Sequence, residues 1–235
     1  MSFVSRAPLL LGAAWLLASS LPAQDLTIVS KVTFGDRESE TTQFITSDRS
    51  RSSSRDSDSI VTFADGKLTL VDHRKKEYWD ATLEQMEDYW EHTARKLRTS
   101  GAGDMFDLRA EPKLEKLPGK QKFAGYDCEH WSLSVGDALE VDFWAAPGLH
   151  APERYYDGRR LASVSMGPMG ALFQKMYEEL KKVKGYPLST AVILRTPFTR
   201  TQTLEEATEV RKGPIPASTF DIPSGYKKVR APFEK

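Results

Sequence analysis

Most of this sequence alternates apolar with polar residues, and only two stretches repeat at helical spacing; that imbalance restricts the chain to a fold built on a sheet. Leu26, Ile28, Val32 and Phe34 share one parity, with mostly polar residues between them and Val29 as the exception, which predicts a half-buried strand. Gly35-Asp36 predicts a turn, and Thr41 to Thr46, carrying Phe44 and Ile45, the return strand. Ile60 to Ala64 and Lys67 to Val71 flank Asp65-Gly66, which predicts a tight hairpin whose two central residues need positive φ. Another strand is expected at Lys76 to Asp80. Patterning resumes near Leu117, is clear from Lys122 to Val135, and after Gly136-Asp137 continues through Leu139, Val141, Phe143 and Ala145. Within it Tyr126 and Cys128 take one parity and Trp131, Leu133 and Val135 the other, which predicts a β-bulge near Glu129. Two further strands are expected near Leu188 to Thr196 and Thr203 to Arg211.

The helical stripes are Leu83, Met86, Trp90, Ala94 and Leu97, behind Thr82 as N-cap, and Met169, Leu172, Phe173, Met176, Leu180 and Val183. They predict helices over Thr82 to Leu97 and Pro168 to Lys184, each with its stripe on the sheet. Lys181, Lys182 and Lys184 suit the negative end of the second helix, which Gly185 stops. Arg49 to Asp58 is polar on both faces and is read as a solvated strand or a loop, in preference to a phosphate-binding arginine cluster. The expected fold class is mainly β with α (α+β), in one domain over residues 24–235, with no internal repeat or linker.

The first residues read as a secretory leader. Arg6 supplies the positive start, and the apolar run Leu9 to Ala18 falls short of the roughly 20 residues a membrane span needs. Ser20-Leu21-Pro22-Ala23 places a small residue at the cut, so residues 1–23 are expected to be a signal peptide and the mature chain to reach the periplasm or the medium. Gln24 and Asp25 follow the cut where a lipoprotein needs cysteine, so no membrane anchor is expected after cleavage. Cys128, the sole cysteine, has no intrachain partner and is expected to be buried and structural. Lysine plus arginine equal aspartate plus glutamate at 33 each, and no basic field points to nucleic acid.

Catalytic patterns are missing from the sequence: there is no H-E-x-x-H, G-x-S-x-G or P-loop, and Gly101 and Gly103 follow a helix instead of a strand. Glu84, Asp88 and His92, four residues apart, have the spacing of a metal site, but equally that of a solvated helix face with Glu91 and Arg95 as an ion pair; the second reading is adopted. Cys128 and His130 share a strand face, yet nothing orients a base there. No catalytic residue, cofactor or metal is expected.

Asp65-Gly66-Lys67 with Asp72 and Tyr78, Gly125-Tyr126-Asp127-Cys128 with Trp131, and Gly185-Tyr186-Pro187-Leu188 together resemble the LolA/LolB-like superfamily of bacterial envelope proteins. The closing Phe220 to Tyr226 resembles the end of an uncharacterised exported family, a domain of unknown function, in that superfamily. The resemblance implies a curved antiparallel half-barrel whose concave face is covered by helices, and in the lipoprotein carriers that concavity holds acyl chains. By that analogy Met86, Trp90, Leu172, Phe173 and Met176 form a lid over a lipid or other hydrophobic ligand, or else complete the core. The expected function is therefore non-catalytic binding of an apolar or amphipathic ligand in the periplasm. The alternative is an envelope interaction module with a filled core and a protein partner.

Overall fold

The computed structural model describes residues 25–82, 84–86, 88–89, 110–152, 154–163, 170–196 and 198–232. The leader, Leu83, Trp90, His92 and the rest of the first predicted helix to Leu97 lie outside the described residues.

Twelve strands form one open, curved sheet, an α+β half-barrel. They are β1 (Leu26–Phe34), β2 (Arg37–Ile45), β3 (Arg49–Ser54), β4 (Ser57–Thr62), β5 (Lys67–Asp72), β6 (Glu77–Thr82), β7 (Pro112–Phe123), β8 (Tyr126–Val135), β9 (Leu139–Ala146), β10 (Tyr186–Arg195), β11 (Arg200–Lys212) and β12 (Lys227–Lys228). The spatial order is β12-β6-β5-β4-β3-β2-β1-β11-β10-β9-β8-β7. Every pairing is antiparallel except that of the two-residue β12 with β6. The pairing of β11 with β1 joins the meander β1–β6 to the meander β7–β11 in the middle of the sheet.

Several local expectations are refined. Asp65-Gly66 does join β4 to β5, but the loop spans residues 63–66, closed by Thr62 opposite Lys67, and only Gly66 takes positive φ, at 57°. The stretch from Lys122 to Val135 is a hairpin, not one strand. Ala124 and Gly125, at φ 45° and 84°, form the two-residue turn that Phe123 and Tyr126 close, a geometry that matches the twist of the flanking strands. The parity change along β8 is real, with Cys128, Leu133 and Val135 all buried. The extra residues that accommodate it, however, sit on β7 between Lys116 and Lys120, opposite His130. Arg49 to Asp58 is in the sheet, pairing with β2 and β4.

Two helices pack on one another and on one face of the sheet: α1 (Tyr155–Ser163) and α2 (Gly170–Leu180). The second was expected; α1 was not. Leu172, Phe173, Met176 and Leu180 of α2 bury against Leu133, Val141 and Phe143 of β8 and β9, and each such side chain contributes about 1.5–3 kcal/mol when fully buried. Gly158 brings α1 close to the sheet, because a methyl group there would collide with the Phe63 ring. Residues 84–86 and 88–89 are helical, and the N-terminus is a reciprocal cap: Gln85 N–H donates to Thr82 Oγ1 at 3.3 Å and Thr82 N–H to Gln85 Oε1 at 2.9 Å.

On β4 the consecutive residues Ile60 and Val61 are both buried, although neighbours on a strand point to opposite faces. Both faces of this part of the sheet are therefore covered. Val61 packs with Leu68, Ala81 and Met86, whereas Ile60 packs with Val71 and Phe220 from the C-terminal segment.

Candidate functional site

A cavity of about 300 Å³ lies between the two helices and the middle of the sheet. Its sheet side is largely polar and comes from four strands: Ser30 of β1, Gln43 of β2, Thr203 and Glu205 of β11, and Tyr186, Leu188, Thr190 and Val192 of β10. Its helix side is Tyr155, Tyr156 and Arg159 of α1 with Phe173, Met176, Tyr177 and Leu180 of α2. Alternation along the strands puts Leu188, Thr190 and Val192 on one face, and positions three and four apart on α1 do the same for Tyr155, Tyr156 and Arg159.

Gln43, buried in the sheet, is the hub of the polar wall. Its Oε1 accepts from Tyr155 Oη at 2.7 Å and from Tyr186 Oη at 2.9 Å, and its Nε2 donates to Glu205 Oε1 at 3.0 Å. The two phenol oxygens stand 3.1 Å apart. Burial pushes the Tyr155 hydroxyl up to about 12 and the Tyr186 and Tyr156 hydroxyls well above the ordinary phenol value, so all three stay neutral. Arg159 donates from Nη2 to Tyr177 Oη at 3.0 Å, with its guanidinium 5.4 Å from the Tyr177 ring centroid. Electrostatic attraction to the neighbouring Tyr177 holds the Arg159 pKa above its usual value. The cavity thus presents the Arg159 guanidinium, the Glu205 carboxylate, the mutually bonded neutral phenols of Tyr155 and Tyr186, and an apolar helix wall.

Of the residues assigned to a lid, Phe173 and Met176 line this cavity. Leu172 is fully buried one step along the same helix, among Leu133, Val141 and Phe143. Met86 is fully buried elsewhere, with Val61, Leu68 and Ala81, and Trp90 lies outside the described residues. The polar half of the cavity, Gln43, Tyr155, Tyr156, Arg159 and Glu205, was not singled out from the sequence. Gln43 gave a weak clue as a polar residue on a strand that elsewhere buries Ile45 on the same parity.

A second polar cluster lies under the C-terminal segment. The Asp58 side chain is 0% exposed; its Oδ2 accepts from Arg51 Nη2 and lies 3.0 Å from His73 Nε2. His73 Nδ1 is 2.9 Å from Tyr226 Oη, and Arg51 Nη1 donates to the Thr219 carbonyl. Arg51, read from sequence as solvated, is instead half-buried within this ion pair. The cluster ties β3, β4 and β5 to the C-terminal segment. Among the described residues no three histidine, cysteine, aspartate or glutamate side chains converge as metal ligands.

A family model described as a domain of unknown function (DUF4412) matches residues 28–226. The chain belongs to that family. The DUF4412 match takes in both walls of the cavity and the C-terminal cluster as far as Tyr226. No curated protein matches the sequence. Among solved structures, an uncharacterised conserved protein from Thermus thermophilus aligns over 89% of this chain and 91% of its own, with 6% identity and a TM-score of 0.49. PNGF-II aligns over 89% of this chain with 12% identity and a TM-score of 0.43, and this chain spans only 31% of PNGF-II. MucB of Pseudomonas aeruginosa, solved with MucA, aligns over 83% of this chain and 54% of its own, with 9% identity and a TM-score of 0.42.

Proposed function

We propose that this DUF4412 protein is a non-catalytic envelope protein that binds an amphipathic, lipid-like ligand between its helices and its sheet. The observation that carries the reading is the cavity itself: about 300 Å³ of space where side chains could have filled a core, at the lower end of the roughly 300–1,000 Å³ of ligand pockets. Phe173, Met176 and Leu180 offer it an apolar wall, and the flexible Met176 side chain adapts to chains of varied shape. The curved sheet with helices on one face supports placing the family in the LolA/LolB-like superfamily. The leader-like residues 1–23 support export with cleavage after Ala23 and no lipid anchor.

The test is native mass spectrometry of protein purified from a bacterial envelope, followed by displacement of an environment-sensitive dye from the delipidated protein. A retained amphiphile, and loss of dye binding in a folded Met176→Trp variant that fills the cavity, are expected. A folded protein that binds no apolar ligand at micromolar concentration would overturn the reading, and the interaction module with a protein partner would replace it.

A further inference from the structure

The two polar regions of the cavity differ in their hydrogen-bond balance. Gln43, Tyr155, Tyr186 and Glu205 satisfy one another through the bonds described above. Around Arg159 donors are in excess. A guanidinium carries five N–H donors and no acceptor, and the bond Arg159 makes among the described residues uses only one of them. That bond occupies Tyr177 Oη as acceptor and leaves the Tyr177 proton to be donated. The Tyr156 hydroxyl is buried and has no hydrogen-bond partner among the described residues. An unmade bond at a buried hydroxyl is destabilising, so this arrangement is poor for an empty site and good for one that receives an acceptor. Glu205, across the cavity on the sheet, forms no ion pair with Arg159 among the described residues and already accepts from Gln43.

Resting on the reading of the cavity as a ligand site, we infer that its ligand is a single-chain amphiphile with a carboxylate head, held by Arg159, Tyr156 and Tyr177. The planar guanidinium fork matches a carboxylate in two parallel bonds. Charge favours the smaller oxyanion: Glu205 across the cavity already offsets part of the Arg159 charge, so a carboxylate adds one negative charge to the site, whereas a phosphate monoester, at about −1.5 to −2, adds more. The chain lies against Phe173, Met176, Leu180 and Val192, and the cavity's volume suits one chain and not two.

Dodecanoate, dodecanol, dodecylammonium and dodecyl phosphate are titrated against delipidated protein and its Arg159→Gln and Tyr156→Phe variants, with folding checked by circular dichroism. Dodecanoate should bind at least about tenfold more tightly than the other three. Arg159→Gln should weaken dodecanoate about ten- to a hundredfold and leave dodecanol within about threefold. Tyr156→Phe keeps the ring and removes only the unpartnered hydroxyl, so it should fold as well as the parent and weaken dodecanoate alone, by about three- to tenfold. Equal binding of dodecanol, tighter binding of dodecyl phosphate, or indifference of dodecanoate to both folded variants would overturn the carboxylate assignment while leaving the cavity reading intact. Binding of none of the four would overturn both.

Discussion

Replacing Gln43 by methionine keeps the length and nearly the volume of the side chain but removes the three hydrogen bonds at the centre of the cavity's polar wall. Tyr155 and Tyr186 lose their shared acceptor but stand 3.1 Å apart, so one can donate to the other and a single hydroxyl proton is left unpaired. That costs about 1–3 kcal/mol. Glu205 loses a donor, but it is only half-buried and turns toward solvent, so this second loss is about 1 kcal/mol or less. The expected destabilisation is about 1–4 kcal/mol, equivalent to a fall of about 2–16 °C in Tm for a domain of this size. Urea denaturation should show a lower midpoint at unchanged slope, and a cycle with Tyr155→Phe should reveal coupling of about 1 kcal/mol or more. A Gln43→Met protein within about 0.5 kcal/mol of the parent would refute the idea that these bonds hold the two walls together.

Asp58→Ala leaves the half-buried Arg51 beside His73 without its carboxylate and should cost about 2–4 kcal/mol, with the segment from Ala217 to Tyr226 becoming the first site of limited proteolysis; equal protease resistance would count against it. The Tyr155 hydroxyl, displaced from 10.0 to about 12 in the folded state, favours the fold while neutral, so its contribution is complete below pH 10 and is lost as pH rises to about 12. Tyr155 should therefore contribute up to about 3 kcal/mol to the decline in stability across that window, and the decline should be smaller by that share in Tyr155→Phe. Cys128 is buried, burial raises its thiol pKa, and its Sγ donates to the Tyr126 carbonyl at 3.5 Å. It should resist thiol reagents until the protein unfolds, and Cys128→Ala should cost about 1–2 kcal/mol without changing ligand binding; rapid labelling of the native protein would refute its structural role.

By itself the sequence determined what local physics can encode. Alternation at Leu26, Ile28 and Leu139 to Ala145 marks strands because period two exposes one face to a core, and the stripe from Leu172 to Leu180 marks α2 because period 3.6 does the same for a helix. Gly35-Asp36 and Gly136-Asp137 mark turns for equally local reasons. Thr82 was legible as a cap because its partner is three residues away. The Ala124-Gly125 turn was not, since an alanine at positive φ is uncommon and only the pairing on either side of it holds it there. Helix α1 carries a glycine in its middle and no long apolar stripe, so only its packing on Phe63 and α2 makes it a helix with a defined face.

The site depended on tertiary structure for the same reason. An apolar stripe tells which side of a helix faces the sheet, but not which of its residues border a gap; Leu172 is sealed in the core while Phe173 and Met176 line the cavity. Buried polar partners are more distant still. Gln43 meets Tyr155, Tyr186 and Glu205 across 112, 143 and 162 residues of chain, and Arg51 reaches the Thr219 carbonyl across 168. Nothing in the neighbourhood of a glutamine or an arginine in sequence distinguishes a solvated side chain from a buried hub. The distinction arises when β11 closes against β1 and the C-terminal segment folds back over β3 to β5, because only then does water leave those groups and their bonds have to be made within the protein.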